Sequence, residues 1–373
     1  MPDTKNELWR ETPLIYSTHI SKRLGDDYAV YLKMETLQPG HAFKSRGISH
    51  FIQKQVEARD PSLHVFCASG GNAGIAAAAA SQTLGVKCTI FLPEGVDART
   101  QQFLVNLGAE VVVAGAVYSE AVQAAVQAVE REENAVLAPA YEHPTVWEGH
   151  SYMVGEIKKQ LPDDVVPDAI FCSVGGAGLL GGIILGCKSA GWDKVPLVAL
   201  ETHGCNVFYE AMAANRRPDA VVPSNITIRT DETHGVKVAK AKKLTSKATS
   251  LGATEAAAGV IKLALDRAGE VRCATIPDEM AMHISRLFAD EHKTLVELAC
   301  STTLAPAYSP ELLKALVPPV SGRKTVLVFI VCGGFKISLD DLALYKAIIE
   351  ADASPAYTVR LGSGEEIQAQ KWA

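Results

Sequence analysis

Three glycine-bearing turns carry the residues of this chain best suited to chemistry. Ser69-Gly70-Gly71-Asn72-Ala73-Gly74 sets two polar side chains among backbone amides at the start of an alanine-rich stretch. That combination suits a carboxylate and a ring oxygen. The plainer use of Ser69 or Asn72 is to cap the helix that follows. Gly175-Gly176-Ala177-Gly178 follows an apolar run and opens another helical stretch, and amides so placed hold a phosphate. Extended to Gly181, this turn satisfies GxGxxG, and Glu201 closes the next apolar run near the distance of a ribose-binding acid. A dinucleotide site of a nicotinamide-dependent oxidoreductase, a single-phosphate site and a ligand-free tight turn all fit the pattern. Cys332-Gly333-Gly334 ends the last strong apolar run. No His, Cys and Asp cluster has the spacing of a transition-metal site.

These turns sit at strand ends. Apolar runs at 64–68, 88–92, 110–113, 169–174, 196–201 and 325–332 read as strands, and 74–84, 118–130, 178–190 and 254–268 as helices. The alternation is that of an α/β protein with mainly parallel sheets and crossover helices. Open sheets of this kind place ligands at strand ends, so the three turns are expected to line one crevice. Residues 216–247 are polar and end in a lysine run, which reads as a surface insertion with a solvated charge run; 351–373 reads as a polar C-terminal tail. Lys33, within an apparent strand from Ala29 to Met34, reads as exposed on a strand face. His150 reads as packing or capping, and Glu297 as a cap or a residue near the site.

With 373 residues, 48% hydrophobic and 21% charged, the chain can bury a large core and divides into two lobes. A net charge of −6 gives no electrostatic reason to expect nucleic acid or an anionic membrane as partner. The polar start lacks the apolar core of a secretory signal, and no run is apolar enough to span a bilayer, so a cytoplasmic location is expected. Eight scattered cysteines without a CxxC pair read as reduced and buried.

Gly40-His41-Ala42-Phe43-Lys44-Ser45-Arg46-Gly47, with Lys33-Met34-Glu35 upstream and Ser69 to Gly74 downstream, resembles the cofactor-lysine segment of the fold-type II pyridoxal-phosphate enzymes. The likeness continues in order through Trp147-Glu148-Gly149-His150, Gly175 to Gly178, Glu201-Thr202, Glu297 to Cys300 and Val331 to Gly334, and is strongest with serine/threonine dehydratases of the liver type. The resemblance implies two open twisted, mainly parallel sheets with flanking helices, similar to the tryptophan synthase β fold, and a cofactor in the cleft between domains. It divides the chain into a large cofactor-binding domain, 1–37 with 145–350, and a small domain, 38–144.

Carried over by motif, Lys44 is the Schiff-base lysine and general base, and Phe43 packs beside it. Ser69, Gly70, Gly71, Asn72 and Ala73 hold the substrate carboxylate, with Asn72 also on the ring hydroxyl and Tyr141 beside the ring. Gly175, Gly176, Ala177 and Gly178 hold the phosphate, which is implied to protonate the leaving hydroxyl, and Cys332 faces the pyridine nitrogen. Glu201, with backbone oxygens of Gly175, Cys205, Leu251 and Ala253, matches the relatives' monovalent-cation site, implying potassium. The implied reaction is loss of water and ammonia from L-serine, and from L-threonine, by a homodimer in amino-acid degradation.

An imine-forming lysine must be available as a neutral amine, which burial favours. A neutral thiol at Cys332 holds a protonated ring nitrogen less well than an aspartate does, which favours prompt β-elimination; a plain buried strand-end cysteine is the alternative. Racemase relatives carry a serine where Gly70 stands, which argues against racemisation. Cysteine-synthase-like β-replacement and racemisation on the same fold stay open, as does the oxidoreductase reading. Ala42, Ala177 and Leu298 depart from the relatives' Ser, Gly and Pro, and Phe335-Lys336 replaces a polar pair.

Overall fold

The structure, a computed structural model, describes residues 7–59 and 62–372. In chain order its strands are β1 (Leu14–Tyr16), β2 (Tyr28–Met34), β3 (His64–Ala68), β4 (Lys87–Leu92), β5 (Glu110–Val113), β6 (Ala135–Leu137), β7 (Ala169–Ser173), β8 (Leu197–Thr202), β9 (Ile226–Asp231), β10 (Val236–Ala241), β11 (Val271–Ile276), β12 (Thr325–Val331), β13 (Ala356–Leu361) and β14 (Glu366–Gln370). The six strands expected from apolar runs appear within one residue at each end. The chain divides into two compact units. One comprises the stretch up to Glu11, Thr36–His150 and Gly334–Lys336; the other comprises Thr12–Glu35, Ser151–Gly333 and the chain from Ile337.

The first unit is built on a four-stranded parallel sheet, β5-β4-β3-β6. Its strands are apolar on both faces, and successive residues sort into two cores: Val65, Cys67, Ile90 and Leu92 on one side, Phe66, Ala68 and Phe91 on the other. A period of two on a sheet covered by helices on each face gives this result. The helix Asn72–Leu84 is alanine-rich, with Ala76, Ala77 and Ala80 buried, and this slim face lets it lie close to its neighbours. Gly74 is the tightest point, since a β-carbon there would sit 2.0 Å from the carbonyl oxygen of Ser69.

The second unit holds an eight-stranded sheet, β1-β2-β12-β7-β8-β11-β13-β14, whose five central strands are parallel. Phe171 of β7 and Phe329 of β12 stand in register and stack at 4.2 Å. Residues 226–241 form the antiparallel hairpin β9–β10, with Val238 and Ala239 buried and Thr230 and Lys240 exposed.

Two expectations fail. Lys33 is fully buried rather than exposed, because β2 is covered on both faces. Its Nζ donates to the Thr12 carbonyl at 2.7 Å, Glu156 at 2.6 Å and Gln160 at 3.2 Å, acceptors that compensate the buried charge. Residues 356–370, read as part of a polar tail, instead add β13 and β14 to the sheet, and Tyr357, Val359 and Ala369 are buried. The alternation Tyr357, Val359, Leu361 supplies one apolar face in a stretch whose average composition is polar.

His283 fastens this C-terminal hairpin. Its Nδ1 lies 3.1 Å from the Tyr357 hydroxyl, and Trp372 packs edge-on against its ring at 5.1 Å. Burial, with Arg286 and Lys371 nearby, pushes its pKa down to about 4. An unfolded histidine titrates near 6.5, so between these values the unfolded chain binds more protons. This contribution to stability is therefore present above about pH 6.5 and lost as pH falls toward 4. Urea midpoints should drop from pH 7 to pH 5, and the drop should shrink in His283→Gln; an unchanged slope in that variant would refute the assignment.

Candidate active site

Lys44 is the first residue of the helix Lys44–Ala58 and follows the tight entry Gly40-His41-Ala42-Phe43. His41 takes a left-handed φ of 57°, and the Gly40 amide donates to Ser45 Oγ at 3.0 Å, which closes the turn. The half-buried Lys44 places Nζ 5.2 Å from the centre of the Phe43 ring and donates to the carbonyl of Ala140 at 2.6 Å. Tyr141 follows Ala140 directly, and its own carbonyl accepts from Trp147 Nε1 at 2.7 Å. Lys44, Phe43 and the Tyr141 loop thus come together within the first unit.

His150 belongs to the same neighbourhood. It is fully buried, its ring 4.9 Å from that of Phe43, and its Nδ1 accepts from the Gly47 amide at 3.1 Å. Burial, then the charges of Lys44 and Arg46, hold its pKa well below the usual imidazole range. Packing against the first turn of the lysine helix, the reading made from sequence, is what the geometry shows.

The Ser69–Ala73 turn lies in the same unit. Gly71 is the N-cap of Asn72–Leu84 without a side-chain cap, so neither Ser69 nor Asn72 is spent on that role. Ser69 Oγ accepts from Gly71 N–H at 3.3 Å, and Asn72 Oδ1 accepts from Phe335 N–H at 2.9 Å. The Asn72 carbonyl oxygen is thus engaged by the backbone of a distant segment, and the group left on that side chain is a donor by type. A β-carbon on Gly70 would lie 2.7 Å from Val96 Cγ2 and 3.2 Å from Leu92 Cδ2, so the volume a larger residue needs is already filled. Phe335 was not singled out by any sequence signal except its departure from the relatives' polar pair.

In the second unit, Gly175-Gly176-Ala177-Gly178 connects β7 to the helix Gly178–Ala190. Ala177 takes φ 69°, a left-handed conformation that costs a non-glycine residue about 1–2 kcal/mol. Gly175 is pressed against the Leu251 backbone, with contacts of 3.0 Å to a β-carbon built there. The turn carries no side chain larger than a methyl group at the start of its helix, which fits a phosphate. Cys332 is buried at the end of β12, its Sγ 3.6 Å from Ser173 Oγ, while the Gly333 amide donates to Cys300 Sγ at 3.3 Å. Burial, and then Cys332, push the Cys300 thiol well up, so it stays protonated. Ser173 is a neighbour of Cys332 that sequence reasoning missed, since a serine inside an apolar strand gives no signal of its own.

Glu201, fully buried at the end of β8, accepts backbone N–H bonds from Phe208 at 3.0 Å and Tyr209 at 2.6 Å at the start of the helix Val207–Arg216. Burial nevertheless drives its carboxyl well above the usual carboxylate range. Of its expected companions, Leu251 already gives its carbonyl to the Ala253 amide at 2.7 Å, and burial pushes the Cys205 thiol up to about 11. Glu297 accepts from Ser250 Oγ. All eight cysteines are free and buried, and no cluster of three or more His, Cys, Asp or Glu fit for a metal ion occurs among the described residues.

The chain is 36% identical to the L-serine dehydratase/L-threonine deaminase of Homo sapiens, over 90% of this chain and 94% of that protein. A fungal L-serine ammonia-lyase from Rhizomucor miehei superposes with a TM-score of 0.79 at 32% identity, covering 91% of this chain and 98% of the other. Maize serine racemase, at 21% identity and a TM-score of 0.69 over 92% of this chain and 94% of its own, shares the fold. The family described as "Pyridoxal-phosphate dependent enzyme" matches residues 6–333, and this chain belongs to it.

Proposed function

We propose that the protein eliminates water from L-serine and L-threonine with pyridoxal phosphate, releasing pyruvate or 2-oxobutanoate and ammonia. The observation that carries this reading is the half-buried Lys44 amine, held at its helix start by the Ala140 carbonyl in the same unit as the Ser69–Ala73 turn. Lys44, Phe43, Tyr141 and Asn72, with the Gly175–Gly178 amides and Cys332, would hold the cofactor. Once bound, it supplies an electron sink for the carbanion left at Cα.

The chain's own residues bind, orient and move the proton. Ser69 Oγ and the amides of Gly70 to Ala73 grip the substrate carboxylate and so fix which Cα bond faces the lysine. Lys44 Nζ takes the Cα proton as general base, and the Ala140 carbonyl is the acceptor that keeps that amine aligned. Val96 fills the space beside Gly70, which leaves no place for the second proton-transfer group that racemisation needs. This favours elimination over the racemase reading.

The same proposal extends to potassium at Glu201, where a cation would restore the charge that burial opposes. It also extends to a cytoplasmic homodimer in amino-acid degradation and gluconeogenesis, on the strength of the family resemblance; sedimentation and cell fractionation check this part. No helix among the described residues is long and apolar enough to cross a membrane.

The test is product analysis of purified protein. L-Serine alone should give pyruvate and L-threonine 2-oxobutanoate, with higher rates in potassium than in lithium. Appearance of D-serine, or of product only when a thiol is added, would replace dehydration with racemisation or β-replacement. Absence of the lysine-bound cofactor's absorption would reopen the nicotinamide reading.

A further inference from the structure

The first turn of the lysine helix is bonded irregularly, and a histidine 103 positions beyond Gly47 completes it. The Ser45 amide donates to the Ala42 carbonyl at 3.1 Å and the Arg46 amide to the Phe43 carbonyl at 3.0 Å, the spacing of a tight 3₁₀ turn. A regular α-helix would bring the next amide, that of Gly47, to the Phe43 carbonyl as well. It donates to His150 Nδ1 instead, at 3.1 Å. Glycines allow the approach. A β-carbon on Gly47 would lie 2.4 Å from the Val146 carbonyl oxygen and 2.5 Å from His150 Cε1, and one on Gly149 would lie 2.8 Å from the Arg46 carbonyl oxygen. The imidazole therefore brackets the lysine. It holds the amide three residues after Lys44, and its ring lies 4.9 Å from that of Phe43, over which Lys44 Nζ stands at 5.2 Å.

We propose that His150 is a positioning residue for Lys44: by taking the Gly47 amide at Nδ1, it sets the winding of the first helical turn and so the point from which the lysine amine reaches out. The inference rests on reading Lys44 as the cofactor lysine. An apolar ring would fill the same space, but only an acceptor holds the amide. Because Nδ1 accepts, the hydrogen of the neutral imidazole sits on Nε2, a buried donor with no protein partner among the described residues. Burial and the charges of Lys44 and Arg46 oppose protonation, which keeps Nδ1 an acceptor. A small rotation at the base of so long a side chain moves its amine by about an ångström, and a misplacement of that size can cost up to about a hundredfold in rate.

Asparagine and glutamine separate the two ring nitrogens, since Asn Oδ1 falls where Nδ1 lies and the Gln amide nitrogen where Nε2 lies. His150→Asn keeps the acceptor, His150→Gln keeps only the far donor, and His150→Leu keeps neither. The first readout needs no turnover: each apoenzyme is mixed with pyridoxal phosphate, and the absorption of the lysine-bound cofactor is followed in time, well below the lowest thermal midpoint so that stability does not enter. The rate should fall about tenfold in His150→Gln and His150→Leu and stay within about threefold of wild type in His150→Asn. With L-serine, kcat should follow the same order while KM moves by less than about twofold. Should His150→Leu fail to fold, the contrast of Asn with Gln still decides. Variants that are alike, whether as fast as wild type or equally slowed, overturn the proposal. So does a change carried by KM at constant kcat, or a Gln variant that matches wild type where Asn does not, which would give the role to Nε2. Cofactor attachment that depends on His150 in the stated order, without pyruvate from serine, would sustain this inference and remove the dehydratase reading; pyruvate formation indifferent to His150 would do the reverse.

Discussion

Lys44→Ala should lower pyruvate formation from L-serine by about a thousandfold or more, the range expected when a positioned general base is removed. The same variant should lack the absorption of the lysine-bound cofactor while its thermal midpoint stays close to wild type. Lys44 is half-buried at the first turn of its helix, outside the apolar core, so the fold loses little with it. Partial rescue by added methylamine would separate a missing base from a disordered site. Activity within tenfold of wild type would end the assignment of Lys44 and, with it, of the reaction.

Glu156→Ala should destabilise the second unit by about 3 kcal/mol, because it takes a carboxylate at 2.6 Å away from a fully buried ammonium. Thr12 and Gln160 would still accept from Lys33 but supply no charge. Replacing both members, Lys33→Met with Glu156→Leu, should return stability to within about 1 kcal/mol of wild type, since apolar residues of similar size remove the burial cost altogether. Urea unfolding of the two variants decides the matter. A single variant as stable as wild type, or a double variant no better than the single, would show that the pair is not what holds Lys33 inside.

Lys33 also shows where sequence reasoning stops. Strand β2 was legible as a strand, and a lysine in a strand reads as facing water. Its burial depends on Glu156 and Gln160, one turn apart on a helix more than a hundred residues away, and nothing local announces that pairing. Elements with strong periodicity, such as β3, β12 and the helices Tyr118–Glu130 and Gly178–Ala190, were legible because their apolar pattern is set by the sheet faces they cover. The strands β13 and β14 were not, since their polar residues mask a single apolar face.

The candidate site divides in the same way. The glycine turns were legible because a β-carbon at Gly74 or Gly175 collides with nearby backbone, a constraint written in the residue type itself. The lysine was legible only through its motif, because Lys44 differs in no compositional respect from other lysines. Val96 beside Gly70, Ser173 beside Cys332 and Lys336 over Gly71 were not legible, since each is brought to its place by the tertiary fold.

The bond from Phe335 to Asn72 has a consequence for how the protein comes into being. The two residues are separated by 263 positions, a distance that a ribosome covers in roughly 13–50 s at ordinary elongation rates. The sheet whose strand β3 leads into the Asn72 turn, β3 to β6, is already complete in sequence by Leu137. A nascent chain therefore displays the lysine and the glycine turn well before the amide that fixes Asn72 has been made. The amine and its neighbouring turn are thus made first, and the orientation of the Asn72 side chain waits for a backbone amide supplied 263 positions later.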